Sequence, residues 1–140
     1  MTTIHHDLAT FIESIPWHQH LGLKVASLEP GIARLLLPYK PEHAGNLTRG
    51  AMHGGVLATL ADSCGAAALW THFGPDDKTA TIDLRVDYLR PAPLADLVAE
   101  GEVRLLGNRI ANVVVRIHAA HTPEVTVAEA RTVCYIKRSR

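Results

Sequence analysis

From Gly54 to Thr71 the chain runs without proline and carries a single acidic or basic side chain, Asp62. Val56, Leu60, Cys64 and Ala67 or Leu69 recur there at helical spacing, and the remainder, including Ala58, Ala61, Ser63, Gly65, Ala66 and Ala68, is mostly small and uncharged. A helix that is apolar on nearly every side must be buried on nearly every side. Small side chains let another backbone lie close against it, as when a sheet wraps around a helix.

The flanking sequence supplies the wrapping. Leu8, Phe11, Ile12 and Ile15 fall at i, i+3, i+4 and i+7, which predicts an amphipathic helix over about 5–15 that Pro16 ends. Extended runs follow at about Leu21–Leu28 and Ile32–Pro38, joined by the turn Glu29-Pro30-Gly31. A polar stretch, Lys40–Gly50, leads into the central helix at about 54–71. Beyond it, Ala80, Ile82, Leu84, Val86 and Tyr88 alternate with Thr81, Asp83, Arg85 and Asp87, a period of two with one wet face. Further strands are expected at about Asp96–Leu106, Arg109–Ala120 and Val125–Lys137. No linker, charge block or repeat divides residues 1–140, so the reading is a single α+β domain with an antiparallel sheet.

Composition narrows the function. Fourteen Lys and Arg balance fourteen Asp and Glu, so no net positive field draws a nucleic acid. No apolar run approaches the ~20 residues of a membrane span. The N-terminus, with His5, His6 and Asp7, lacks the basic start and apolar middle of a signal peptide. Two cysteines, Cys64 and Cys134, cannot staple a framework. The expected protein is soluble and cytoplasmic.

Asp62 lies on the face of Ala58 and Ala66, away from the Val56–Leu60–Cys64 stripe. A carboxylate in so apolar a helix is costly unless something pairs with it, or unless that side stays wet. At the start of the helix, His53-Gly54-Gly55 admits a ligand to first-turn N–H groups that have no intrahelical partner. The dipole adds about +0.5 charge there, which favours a developing oxyanion. The plainer reading is an entry turn with His53 capping the helix. Asp62 lies seven residues beyond Gly55, ~10 Å along the axis, so one carbonyl cannot touch both groups of one helix. Two copies packed antiparallel about a two-fold axis bring Asp62 of one to Gly55 of the other and make a composite site.

Asn46, the run from His53 to Asp62, and Thr81-Ile82-Asp83-Leu84 through Asp87-Tyr88-Leu89-Arg90-Pro91 resemble the hotdog-fold acyl-CoA thioesterases. The similarity is to the phenylacetic-acid-pathway, or PaaI-type, branch, and it runs from about Phe11 to Ile136. The lead-in from Ile15 to Leu23 and the Glu29-Pro30-Gly31 turn share it. The resemblance implies a sheet curled around the central helix and a homodimer with one continuous sheet, associating to a homotetramer. It implies that the Gly55 N–H polarises the thioester carbonyl while Asp62 of the partner subunit acts as general base or nucleophile. In the same turn His53 is counted with the catalytic residues and Gly54 with the substrate-binding ones, Asn46 orients the carbonyl or the water, and Thr81 bonds near the acid. Asn46 stands seven residues before His53, one more than the family spacing. Arg90 is assigned to the coenzyme A phosphates, with Arg49, Arg85 and Arg109 as further candidates.

A thioester is electrophilic and its thiolate leaves readily, so the reading needs no metal and no cofactor beyond the coenzyme A of the substrate. Nine histidines show no zinc spacing, Cys64 reads as a small buried hydrophobe, and Ser63 lacks a nucleophile elbow. Two rivals share the fold: a non-catalytic acyl-CoA-binding domain, and an acyl hydratase or dehydratase. The latter needs a histidine base beside the acid.

Overall fold

The computed structural model describes residues 3–139. The central helix, α3, spans Gly54–Trp70 and buries Leu57, Leu60, Ala61, Cys64, Gly65, Ala67, Ala68 and Leu69. A six-stranded antiparallel sheet curls around it. In chain order the strands are β1 (Lys24–Glu29), β2 (Ile32–Leu37), β5 (Lys78–Tyr88), β6 (Leu97–Leu106), β7 (Ile110–Ala119) and β8 (Thr126–Lys137). In space the order is β1-β2-β6-β7-β8-β5, leaving β1 and β5 as edges. The short strands β3 (Ala44–Asn46) and β4 (Ala51–Met52) pair separately beside the start of α3. This is the α+β architecture that the resemblance implies.

Small residues set the closeness of sheet and helix. A Cβ added to Gly65 would stand 3.0 Å from the Thr132 side chain, and one added to Gly101 of β6 would stand 3.0 Å from the Cys64 carbonyl oxygen. Cys64 is fully buried, its thiol 3.5 Å from the Ala33 carbonyl, and burial pushes that thiol far up in pKa. It is inert core, as its place on the apolar stripe suggests.

Three boundaries differ from the sequence expectations. Helix α1 spans Thr3–Ser14, but Pro16 does not end the helical segment: it opens a second helix, α2 (Pro16–Leu21). Proline suits the first helical position because the N–H it lacks is unsatisfied there anyway. Gly22, at φ +81°, caps α2, so β1 begins at Lys24 rather than Leu21. The third difference is in β5. Its pairing with β8 slips between Thr81 and Asp83, leaving Ile82 as a bulge. The alternation that put Ala80 and Ile82 with Leu84 on one face is broken there. Thr79 and Thr81 turn toward α3 instead, alongside Leu84 and Val86 further on. A bulge on an edge strand re-aims side chains in this way.

On the outer face of the sheet, Glu100 gathers Arg34 at 3.2 Å, Arg116 at 3.4 Å and the buried His118 at 2.9 Å. The other ring nitrogen of His118 meets the Ala119 carbonyl at 2.8 Å. Burial works against the charge on Glu100, but hydrogen bonds and charge from His118 and Arg34 outweigh it and hold its carboxyl below the usual range. A carboxyl depressed in the folded state stabilises the fold above its unfolded pKa of ~4.3 and loses that contribution as pH falls through the folded value. Glu100→Gln should lower stability at pH 7 by about 1–3 kcal/mol, since it leaves buried donors poorly paired. The difference from wild type should shrink as the pH drops below ~4.3. Urea midpoints of both proteins at neutral and acid pH check this; equal midpoints at pH 7 refute it.

Candidate active site

The chemistry-bearing residues gather along α3 and the edge strand beside it. Asp62 is half-buried on the helix face turned toward β5, and the Thr81 hydroxyl donates to its Oδ1 at 2.9 Å. The β5 bulge makes this pair possible. On the same strand, the Thr79 hydroxyl accepts from the Trp70 indole N–H at 2.7 Å, and the Tyr88 hydroxyl donates to the Gly54 carbonyl at 2.8 Å. Three rungs thus join β5 to the end, middle and start of α3.

At the helix start, His53 is the N-cap, with extended backbone at φ −66° and ψ 131°. Its Nδ1 accepts the Gly55 N–H at 2.8 Å, and its carbonyl accepts the Val56 N–H at 3.0 Å. The expectation that Gly55 offers its amide to a carbonyl therefore meets an occupied donor. Among the described residues no acceptor faces the Gly54 N–H, the first helical amide. The cause is simple: a cap accepts from the second or third amide of the helix and leaves the first one open.

Asn46 lies in β3, next to this tip. A Cβ on its neighbour Gly45 would fall 2.7 Å from the His53 Cα, which shows how closely the strand passes. The Asn46 Oδ1 accepts the Arg49 N–H at 3.0 Å, closing a turn in which Gly50 takes φ +67°. The pairing of β3 with β4 slips at Gly45, just before Asn46. Arg90 is exposed just past β5, its backbone N–H on the Val127 carbonyl. A denser basic group stands at the other end of the sheet. There Asn108, Arg109, Tyr135, Ile136, Lys137 and Arg138 line an open hollow, and Lys78 pairs directly across from Lys137. Arg138 also lies 5.3 Å over the Phe73 ring.

The histidines that invited a metal reading diverge. His18 is buried, bridging the Ile12 carbonyl and the Ser63 hydroxyl at 2.8 Å each, whereas His20 stacks on Trp17. His43 is buried between the Lys40 N–H and the Leu21 carbonyl. The side chains of His5 and His6 lie outside the described residues. No helix among the described residues is long and apolar enough to cross a membrane.

Within one chain Gly54 and Asp62 are eight residues apart on one helix, ~12 Å along its axis. Gly54 presents a free amide at the positive end of a long helix, and Asp62 a carboxylate bonded by the Thr81 hydroxyl.

The family model described as thioesterase superfamily matches residues 49–126, which include α3 and β5. The medium/long-chain acyl-CoA thioesterases YigI of Salmonella typhimurium and Escherichia coli K12 are 31% identical over 121 residues, covering 77% of this chain and 78% of theirs. A solved structure from the thioesterase superfamily superposes with a TM-score of 0.87 at 30% identity, over 98% of this chain and 100% of that one. A mutant of the phenylacetic acid degradation protein PaaI from Thermus thermophilus gives 0.75 at 31% identity, over 89% and 100%.

Proposed function

This chain belongs to the thioesterase superfamily, and on that premise we propose that it hydrolyses acyl-CoA thioesters at a site shared between two copies of the chain. The observation that carries the reading is the separation on α3 of an unpaired first-turn amide and a Thr81-oriented acid. Neither half can serve a carbonyl alone, and one carbonyl cannot reach both in a single chain.

The edge strands support the pairing. At β1, six residues long and bulged, the Glu13 carboxylate accepts the Val25 N–H. The other edge, β5, runs for eleven residues and exposes Ile82 and Tyr88 by more than half. A long edge without cover is a template for another strand. Antiparallel addition of a second β5 about a two-fold axis near its middle sets the two α3 helices side by side in opposite directions. Asp62 of one then approaches Gly54 of the other, and two equivalent sites form.

In such a site the Gly54 N–H donates to the thioester oxygen, and the helix dipole, about +0.5 charge at that end, favours the oxyanion. Asp62 takes a proton from the attacking water, or attacks the carbonyl itself and is released by water. The C–S bond breaks, the thiolate takes the proton, and acid and free coenzyme A leave. His53 holds the helix tip through Nδ1, and the Asn46 amide is placed to orient the water or the carbonyl. Phosphates of coenzyme A find cations at Arg90 or at the Arg109–Lys137 hollow. The YigI relatives act on medium and long chains, and the small side chains of Ala58 and Ala66 flanking Asp62 leave room for an aliphatic group. Medium and long acyl chains are the proposed substrates.

Release of free thiol from acetyl-, phenylacetyl-, octanoyl- and palmitoyl-CoA tests this. Turnover is expected to be fastest on the octanoyl or palmitoyl ester. Binding without thiol release from any of them means an acyl-CoA sensor instead, and loss of enoyl absorbance without thiol means a hydratase.

A further inference from the structure

Tyr88 touches the tip of α3 at the amide on which the proposed reaction depends. Its hydroxyl donates to the Gly54 carbonyl at 2.8 Å, and its ring lies 3.4–3.5 Å from where a Gly54 Cβ would stand. We propose that Tyr88 is a positioning residue for thioester hydrolysis, fixing the direction of the Gly54 N–H without touching the substrate. The inference rests on the Gly54 reading above.

Two glycines in succession have the widest backbone freedom of any dipeptide, and the first turn of a helix has no preceding turn to hold its amides. The Gly54 N–H lies in the His53–Gly54 peptide plane, and the tilt of that plane against the helix is set by φ and ψ at Gly54, hence by how the Gly54–Gly55 plane is held. The plane before it is held because the His53 carbonyl accepts from Val56. The plane after it, between Gly54 and Gly55, is held by the intrahelical bond that the Gly54 carbonyl accepts from the Ala58 amide and at two further points. His53 Nδ1 takes the Gly55 N–H, and Tyr88 binds the Gly54 carbonyl. Without the tyrosine hydroxyl that second plane keeps only tethers from its own helix and cap, and none from the neighbouring strand.

The placement argues for positioning rather than for stability. Tyr88 is 53% exposed and covers little of the core. It shares β5 with Thr81, which orients Asp62. One edge strand therefore aims both the acid and the amide of its chain, and in a two-copy site these serve different carbonyls.

Tyr88→Phe keeps the ring and removes the hydroxyl. Its kcat on acyl-CoA should fall roughly three- to tenfold, the value of one hydrogen bond, with KM and melting temperature unchanged. In a Gly54→Pro background, which has no N–H at that position, the same substitution should cost nothing further. Wild-type kcat in Tyr88→Phe overturns the proposal. So does an equal loss in both backgrounds, which shows the tyrosine acting elsewhere while leaving the amide reading intact. Wild-type turnover in Gly54→Pro alone overturns the amide reading first, and this role with it.

Discussion

Asp62→Asn should lower kcat for acyl-CoA hydrolysis by ~10²–10⁴-fold while KM stays close to wild type. The amide has the shape of the carboxylate, and its oxygen can still accept the Thr81 hydroxyl that now lies 2.9 Å from Oδ1. It can neither take a proton from water nor attack a carbonyl, so both roles open to the acid are lost together. The site is half-buried and uses no other acidic side chain of α3, so no neighbour on the helix can substitute. Thiol release under saturating substrate gives kcat, and an unchanged melting temperature shows that the loss is chemical. A variant that keeps more than a tenth of wild-type turnover removes Asp62 from the mechanism.

Much of the architecture was legible because α3 leaves few options. A long, small-residue, nearly uncharged helix demands a sheet curled around it, and the strand runs that supply the sheet are visible as alternation. The departures come where local geometry overrides periodicity. Alternation from Ala80 to Tyr88 is regular in the sequence, yet the Ile82 bulge reverses its phase halfway. Nothing in the residue types marks that bulge, and without it Thr81 could not meet Asp62. Pro16 reads equally as the end of one helix or the first residue of the next. At the proposed site, the pattern His-Gly-Gly marks the helix entry but not which of its amides the cap leaves open. Which N–H stays open depends on where the cap residue places its ring nitrogen, and that follows from the His53 rotamer rather than from spacing. In the sequence Tyr88 reads as one apolar position of a strand and as part of the Asp87–Pro91 run, with no role of its own. Its hydroxyl gains meaning once β5 is seen to lie along α3.

Gly54→Pro should lower kcat by ~10²–10³-fold, the effect of losing one oxyanion donor, with little change in stability. Position 54 is the first residue of α3, where proline is accepted because no intrahelical bond uses that N–H. His53 already has the extended backbone that a following proline requires. An added Cβ meets Tyr88 at ordinary contact distance, 3.4–3.5 Å. Gly54→Ala, which keeps the N–H, is the matched control and should stay within a few-fold of wild type. The same variant tests the shared site. A dimer of one Asp62→Asn chain and one Gly54→Pro chain contains one site with both an intact acid and an intact amide, and one site with neither. Each variant alone is nearly inactive, but refolding an equal mixture should restore about a quarter of wild-type turnover, from half the dimers carrying one good site of two. A site built within a single chain predicts no recovery at any mixing ratio, because every chain then lacks one of the two groups it needs.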